Sequence, residues 1–257
     1  MRPGAVNRRQ ASKPVLSEVT LVAVTSVAIE PTIDALRASM QRARFGEVLL
    51  LSDQRPPDSE PEIKWRRIAP LISRVDYSRF MLRDLADHVA TDYALCVQWD
   101  GFILNGAAWD PRFLDFDYIG AVWPQFDDGH NVGNGGFSLR SRRLLEACKR
   151  LPFDGLDAED IVIGRTFRSR LETEGIRFAP ATVANRFAYE RNEPSGLEFG
   201  FHGAFNLVRY IAPKDALRLF RSLEPGLLAR NEKWELLRWA LKRGHLRLAM
   251  AMFKRLV

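Results

Sequence analysis

Val19-Thr20-Leu21-Val22-Ala23-Val24-Thr25 is an uncharged, β-branched run of strand length, and its reading decides the fold. A run that is apolar at successive positions, not alternate ones, suits a strand covered on both faces, as in a parallel sheet. Next along the chain, residues 32–44 carry Ile33, Leu36 and Met40 at helical spacing, with Thr32 placed to cap the helix. Residues 47–52 repeat the strand pattern and end at Asp53, and the Pro-rich, acidic stretch 54–61 is loop. Ile68 opens a short third strand. Residues 78–88 are amphipathic through Phe80, Leu82 and Leu85, and 93–98 form a further strand that closes on Trp99-Asp100-Gly101. This rhythm predicts a doubly wound, mostly parallel α/β sheet flanked by helices. Ligands of such sheets bind beyond the carboxyl ends of the strands, where Asp53 and Asp100 both fall.

The second half is less regular. Residues 109–124 are aromatic, and Val132-Gly133-Asn134-Gly135-Gly136-Phe137-Ser138-Leu139 is a Gly-rich turn entering a short strand. Ser141 opens a helix to about residue 151, and residues 157–160 head another that reaches about 175. Residues 178–190 read as short strands and Gly200-Phe201-His202-Gly203 as loop. From residue 215 the chain is helical and basic, with two apolar-faced segments around Gly244. The expected organisation is a basic arm over residues 1–17, one α/β domain over 18–212 and a helical C-terminal extension over 213–257.

The 257 residues are 46% hydrophobic and 27% charged, which describes a folded globular chain and excludes a disordered one. The formal charge of +6 favours anionic partners. Its basic residues are scattered and match no nucleic-acid-binding motif, so nucleic acid is not expected as a partner. Cys96 and Cys148 lie in apolar stretches and read as reduced core residues. Residues 1–14 lack an apolar core of the secretory type, and 19–29 is too short to span a bilayer, so cytoplasmic residence is the expectation. The terminal helices, with Trp234, Trp239, Met250, Met252 and Phe253 beside Lys and Arg, either cover the sheet or rest peripherally on an anionic membrane face.

Gln98-Trp99-Asp100-Gly101, then Tyr118-Ile119-Gly120-Ala121-Val122-Trp123, then Gly133-Asn134-Gly135-Gly136-Phe137-Ser138-Leu139-Arg140-Ser141 form an ordered series, followed by Glu159-Asp160 and His202. Over about residues 19–205 the series resembles the GT-A glycosyltransferases. It is most similar to a bacterial glycosyltransferase-like family, a domain of unknown function, marked by QWDG, YIGAxW and GNGGFSLRS motifs. The resemblance implies a GT-A-like, Rossmann-like sheet, a nucleotide-diphosphate-sugar donor (UDP-linked above all) and a glycan or lipid-linked acceptor. It also implies a divalent metal, Mn²⁺ or Mg²⁺, and inversion at the anomeric carbon. Asp100 fits the last position of the metal-binding DxD-type motif, although Gln98 replaces its first acid. His202 resembles the late histidine that completes the metal shell. Glu159-Asp160 resembles the pair that supplies the general base, with Asp160 ahead of Glu159.

Elementary chemistry gives these residues compatible tasks. A departing nucleotide diphosphate needs its charge neutralised, which a hard cation held by one or two carboxylates provides. Imidazole is a fair ligand for Mn²⁺, and a carboxylate can take the acceptor proton. Gly135 and Gly136 let the backbone approach a donor sugar, and Asn134 can hydrogen-bond one of its hydroxyls. Thr25, Ser26 and Asp53 are candidates for the nucleotide base and ribose, or for capping loops. Trp99, Trp109 and Trp123 can stack on rings or pack the core. Arg140 and Arg142 can meet phosphate or solvent. A nucleotidyltransferase would carry glycine directly after its first strand, and residues 25–31 contain none. A non-catalytic carbohydrate- or partner-binding module on a degenerate transferase fold is the reading that Gln98 keeps open.

Overall fold

The computed structural model describes residues 13–56, 60–224 and 226–256; the expected basic arm lies, up to residue 12, outside them. β1 (Val15–Val24) leads through α1 (Ile29–Met40) to β2 (Arg44–Ser52) and β3 (Lys64–Arg67). α2 (Arg74–Arg83) and α3 (Leu85–His88) return the chain to β4 (Tyr93–Val97), and β5 (Tyr118–Ile119) and β6 (Phe137–Ser141) follow. These strands make one six-stranded sheet in the order β3-β2-β1-β4-β6-β5. β1 to β4 are parallel, and β6 runs antiparallel to both β4 and β5. The fold is therefore the expected Rossmann-like α/β sheet with a single reversed strand.

Alternation along β1 explains why both faces are covered. Val19, Leu21 and Ala23 pack with Ile33 and Leu36 of α1, whereas Val22 and Val24 pack with Phe80, Met81 and Leu85 of α2 and α3. Burying an aliphatic side chain of this size contributes roughly 1.5–3 kcal/mol, so each face is held by its own helix layer.

Beyond the sheet come α4 (Arg142–Cys148), the short α5 (Glu159–Ile161), a π turn over Val162–Thr166 and α6 (Arg168–Thr173). α7 (Ala181–Phe187), β7 (Ala188–Tyr189), β8 (Gly200–Phe201) and α8 (Ala204–Leu207) lead to α9 (Pro213–Ser222), α10 (Arg230–Lys242) and α11 (Leu246–Lys254). The last three bury Phe220, Leu236, Leu248 and Met252 with Ala28, Ala204 and Val208, and Trp99 packs against this cluster. No helix among the described residues is long and apolar enough to cross a membrane.

Local expectations need correction at five places. The third strand is Lys64–Arg67 and ends before Ile68 instead of opening at it. Residues 181–187 are helix, since Phe187 docks against Phe113, Phe137 and Phe199, and the strand is confined to Ala188–Tyr189. Gly200–Phe201 is not loop but the parallel partner of that strand. Thr32 lies inside α1 and its hydroxyl donates to Ala28 O at 2.6 Å; the cap position is Ala28. β1 begins at Val15, within the segment read as an arm.

Candidate active site

β1 and β4 are neighbouring parallel strands with Val22 opposite Cys96, so the turns that leave them lie side by side. Thr25 and Ser26 follow β1, and Gln98, Trp99 and Asp100 follow β4. The reversed β6 enters from the same end: Val97 pairs with Phe137, and Gln98 N–H donates to Gly136 O at 2.9 Å. Sheet topology thus gathers the Gly-rich segment, the Asp100 turn and the β1 turn. With Glu159, Asp160, Glu190 and His202 they wall a cavity of about 980 Å³.

His202 is the hub. Its Nε2 lies 3.2 Å from Asp100 Oδ1 and 3.1 Å from Gln98 Oε1, and its Nδ1 lies 3.5 Å from Glu190 Oε1 and 3.2 Å from Asn134 Nδ2. Burial disfavours charge on the ring, but the Asp100 and Glu190 carboxylates outweigh it and raise the imidazole pKa well above its ordinary value. Glu190 answers in the opposite sense: burial would raise it, and the bond to His202 holds it below the usual carboxylate range. Glu232, at the start of α10, is pushed up by burial and by Asp100.

Asn134 has φ +62°, the only non-glycine residue in the left-handed region among the described residues. Its amide is fixed at both ends, because Oδ1 accepts from Phe137 N at 3.4 Å. A Cβ on Gly136 would overlap the His202 ring, and one on Gly135 would meet the Glu159 carboxylate. The close approach that these glycines permit is therefore to the protein's own site side chains.

Gln98 Nε2 donates to the Tyr77 hydroxyl at 2.9 Å, and burial pushes that phenol up, keeping it protonated. The two acids of the Glu159-Asp160 pair part company. Glu159 turns into the core, where Oε1 accepts from the fully buried Arg140 at 3.0 Å. Burial and the neighbouring Asp160 raise the Glu159 pKa, and Arg140 opposes them. Asp160 faces the cavity with both oxygens anchored, Oδ2 by Gly135 N at 3.0 Å and Oδ1 by Ile161 N at 2.8 Å.

Of the residues selected from sequence, Thr25, Ser26, Gln98, Trp99, Asp100, Asn134, Gly135, Gly136, Glu159, Asp160 and His202 line this one cavity. Asp53 does not; it directly follows β2, which ends at Ser52. Thr25 Oγ1 accepts from Val27 N and Ala28 N, and Ser26 Oγ from Leu71 N, so both hydroxyls tie down loops. Trp99 and Trp123 reach the cavity, but Trp109 packs against Phe113 and Phe199 in the core. Neither arginine singled out for phosphate is available. Arg140 is buried against Glu159, and Arg142 bonds Val89 O and Glu146. Sequence reading missed Tyr77, Glu190 and Glu232, which are single polar residues without spacing to flag them. It also missed Arg74, exposed on the cavity wall after the Ser73 cap of α2.

Among the described residues no group of three or more His, Cys, Asp and Glu side chains is arranged to hold a metal ion. Asp100 and His202 do fit the sparser mode in which substrate phosphates complete the shell. Asp100 Oδ1 is buried and makes no hydrogen bond. Its 3.2 Å separation from His202 Nε2 is close to the ~3 Å between neighbouring ligands that each sit ~2.1 Å from a small cation.

A family model described as a protein of unknown function (DUF5672) matches residues 63–202. No curated protein matches the chain. Among solved structures, a glycosyltransferase involved in the glycosylation of the major capsid of PBCV-1 is 11% identical at a TM-score of 0.46, over 77% of this chain and 96% of that one. The apo-form glycosyltransferase GlyE of Streptococcus pneumoniae TIGR4 is 12% identical at a TM-score of 0.46, over 88% of this chain. The match spans 64% of GlyE, less than two thirds of its length.

Proposed function

This chain belongs to the DUF5672 family of proteins of unknown function, and from that premise we propose that it is a glycosyltransferase. It moves a sugar from a nucleotide-diphosphate donor, UDP-linked above all, to a hydroxyl of a glycan or lipid-linked acceptor, with inversion. The observation that carries the reading is the pairing of Asp100 with His202 at the carboxyl end of β4, in one cavity with Asp160.

The balance of charge in the cavity supports a metal-assisted reaction. Asp100, Asp160, Glu190, Glu224 and Glu232 line it beside the Arg140-paired Glu159, against Arg74, Arg191 and His202. A diphosphate entering so acidic a cleft needs a cation between itself and the carboxylates. Asp100 and His202 would hold Mn²⁺ or Mg²⁺, which supplies charge neutralisation for the leaving diphosphate. Arg74 and the N-terminus of α2 offer positive potential on the same wall. Asp160, oriented by two backbone N–H groups, takes the proton of the acceptor hydroxyl as its oxygen attacks the anomeric carbon. Glu159 keeps Arg140 neutralised beneath that carboxylate and stays out of the proton transfer.

The test is a thermal-shift screen against UDP, GDP, CMP and their sugars with Mn²⁺ or EDTA. Ligand at a hundredfold over Kd stabilises by about 2.7 kcal/mol. A Mn²⁺-dependent shift with one nucleotide family, and donor turnover that Asp100→Ala abolishes in a folded protein, is the expected result. An active Asp100→Ala protein would overturn the assignment. The binding-module reading has one observation in its favour: both ring nitrogens of His202 already face protein partners. Sugar binding indifferent to EDTA, with no turnover of any donor, would establish it.

A further inference from the structure

Lysine and arginine are spread along the chain, but their excess over acids is not. Residues 236–257 contain Arg238, Lys242, Arg243, Arg247, Lys254 and Arg255 and no Asp or Glu. Of 38 Lys and Arg these are six, and the remaining 32 match the 32 Asp and Glu, so the formal charge of +6 resides in this one segment. It comprises the end of α10 and the whole of α11.

The outward face of this hairpin is apolar. Leu246, Met250 and Phe253 are 67%, 58% and 54% exposed, and their i, i+4, i+7 spacing puts them in one stripe along α11. Leu248, Ala249 and Met252 face the other way, into the core. On α10, Trp234 and Leu241 are also exposed and share a face at i, i+7. Arg247 and Lys254 fall beside the α11 stripe and are exposed, and none of Arg238, Lys242, Arg247 and Lys254 has an ion-pair partner among the described residues. Isolated exposed apolar side chains are ordinary, but a stripe of them rimmed by unpaired cations marks an interaction surface.

We propose that the α10–α11 hairpin docks on an anionic lipid surface. Leu246, Met250 and Phe253 enter the boundary between headgroups and acyl chains, and the flanking cations meet lipid phosphates. The alternatives satisfy only half of the face. A second copy would set the acid-free, cationic segment 236–257 against itself, because a two-fold interface repeats the same surface on both sides. Nucleic acid would answer the charge and leave the apolar stripe in water. A bilayer takes both. The first turn of α10 carries Asn231 and Glu232 into the cavity wall, and the helix has 13 residues, about 20 Å of length. Docking would therefore hold the cavity within one helix length of the membrane, whatever reaction occurs there.

Co-sedimentation with phosphatidylcholine vesicles, with and without phosphatidylglycerol, tests this. The wild-type chain is expected to pellet only with phosphatidylglycerol and to be released as salt rises. The triple variant Leu246→Ser/Met250→Ser/Phe253→Ser and the variant Arg247→Glu/Lys254→Glu should each bind about tenfold more weakly or worse with unchanged melting temperature. Met250→Ser alone is the fallback should the triple variant unfold, and the tryptophan fluorescence should shift to the blue on binding, a shift that Trp234→Phe reduces. A wild-type protein left in the supernatant at low salt overturns the proposal. Serine variants that bind as wild type do so as well. So does a dimer that the serine variant dissolves, or duplex DNA binding untouched by it, in the absence of vesicle binding.

Discussion

Gln98 Oε1 lies 3.1 Å from His202 Nε2 across 104 positions of sequence, and the same amide reaches the Tyr77 hydroxyl at 2.9 Å. A carboxylate at position 98 would join Asp100 and Glu190 around one imidazole. The neutral amide holds the ring without adding charge, while its N–H donates to a phenol that burial keeps protonated.

Gln98→Ala removes that support and leaves the rest of the cavity intact. His202 Nε2 carries no proton while it holds the cation, so Gln98 Oε1 would then serve as a neighbouring oxygen donor to that cation, and its loss should weaken cation-dependent binding roughly tenfold. The Mn²⁺-dependent nucleotide shift should weaken by that factor in a concentration series, with little change in the melting temperature of the free protein. Unaltered nucleotide affinity would show that Gln98 merely fills space.

Glu190→Gln acts on the other side of the ring. A ligating histidine directs its second N–H at a carboxylate, and loss of such a partner weakens metal binding by about 10–100-fold. Manganese titration followed by the thermal shift should show that loss at saturating nucleotide. Metal affinity equal to wild type would separate Glu190 from the site.

The neighbouring acids should give opposite phenotypes. Asp160→Asn can keep the Gly135 bond through its one carbonyl oxygen, gives up the bond to Ile161 N and removes the base, so turnover is expected to fall about 10²–10⁴-fold with nucleotide binding preserved and stability lowered by only about 1 kcal/mol. Glu159→Gln leaves the buried Arg140 guanidinium without its counter-charge, and losing one partner of a buried pair costs about 3–5 kcal/mol. Urea unfolding and donor turnover on both variants distinguish the roles. A destabilised Asp160→Asn protein with normal turnover would reverse them.

The strands that build the site were legible because β1, β2 and β4 are buried on both faces and therefore uninterrupted in apolar character. Their ends pointed at Asp100 without further information. The residues 181–187 were not, since the β-branched Thr182 and Val183 favour a strand and Phe187 is recruited by distant aromatics. The direction of β6 was hidden for a similar reason: five buried residues read alike whichever way the strand runs. Asp160 and His202 were found by resemblance, but the division of labour between Glu159 and Asp160 depends on Arg140, which looked like a surface cation until the sheet placed it at zero exposure. Asp53 was misplaced because following a strand does not by itself bring a residue to the cavity, which also draws Arg74, Tyr77 and Asp160 from helices.

Stability should also depend on pH through Asp117, far from these residues in sequence and role. Its Oδ1 accepts from Ser141 Oγ at 2.6 Å and from Arg143 Nε at 3.2 Å, and its Oδ2 accepts from Arg177 N at 2.7 Å. Burial pushes the carboxyl up, but Arg143, Ser141 and the Arg177 N–H together hold it below the usual carboxylate range. A carboxyl whose folded pKa is depressed adds stability that is complete above its unfolded pKa, about 3.9, and is lost as pH falls through the lower, folded value. Asp117→Asn should accordingly cost about 2 kcal/mol at pH ~7. The same gap should persist at pH ~5 and narrow at pH ~3 and below, because the wild-type carboxyl is then being protonated while the amide is unaffected. Urea midpoints of the two proteins at those three pH values give the comparison. A gap that stays constant down to the lowest pH would mean that the bonds to Asp117 hold the β5–β6 edge by geometry alone and that its charge contributes nothing.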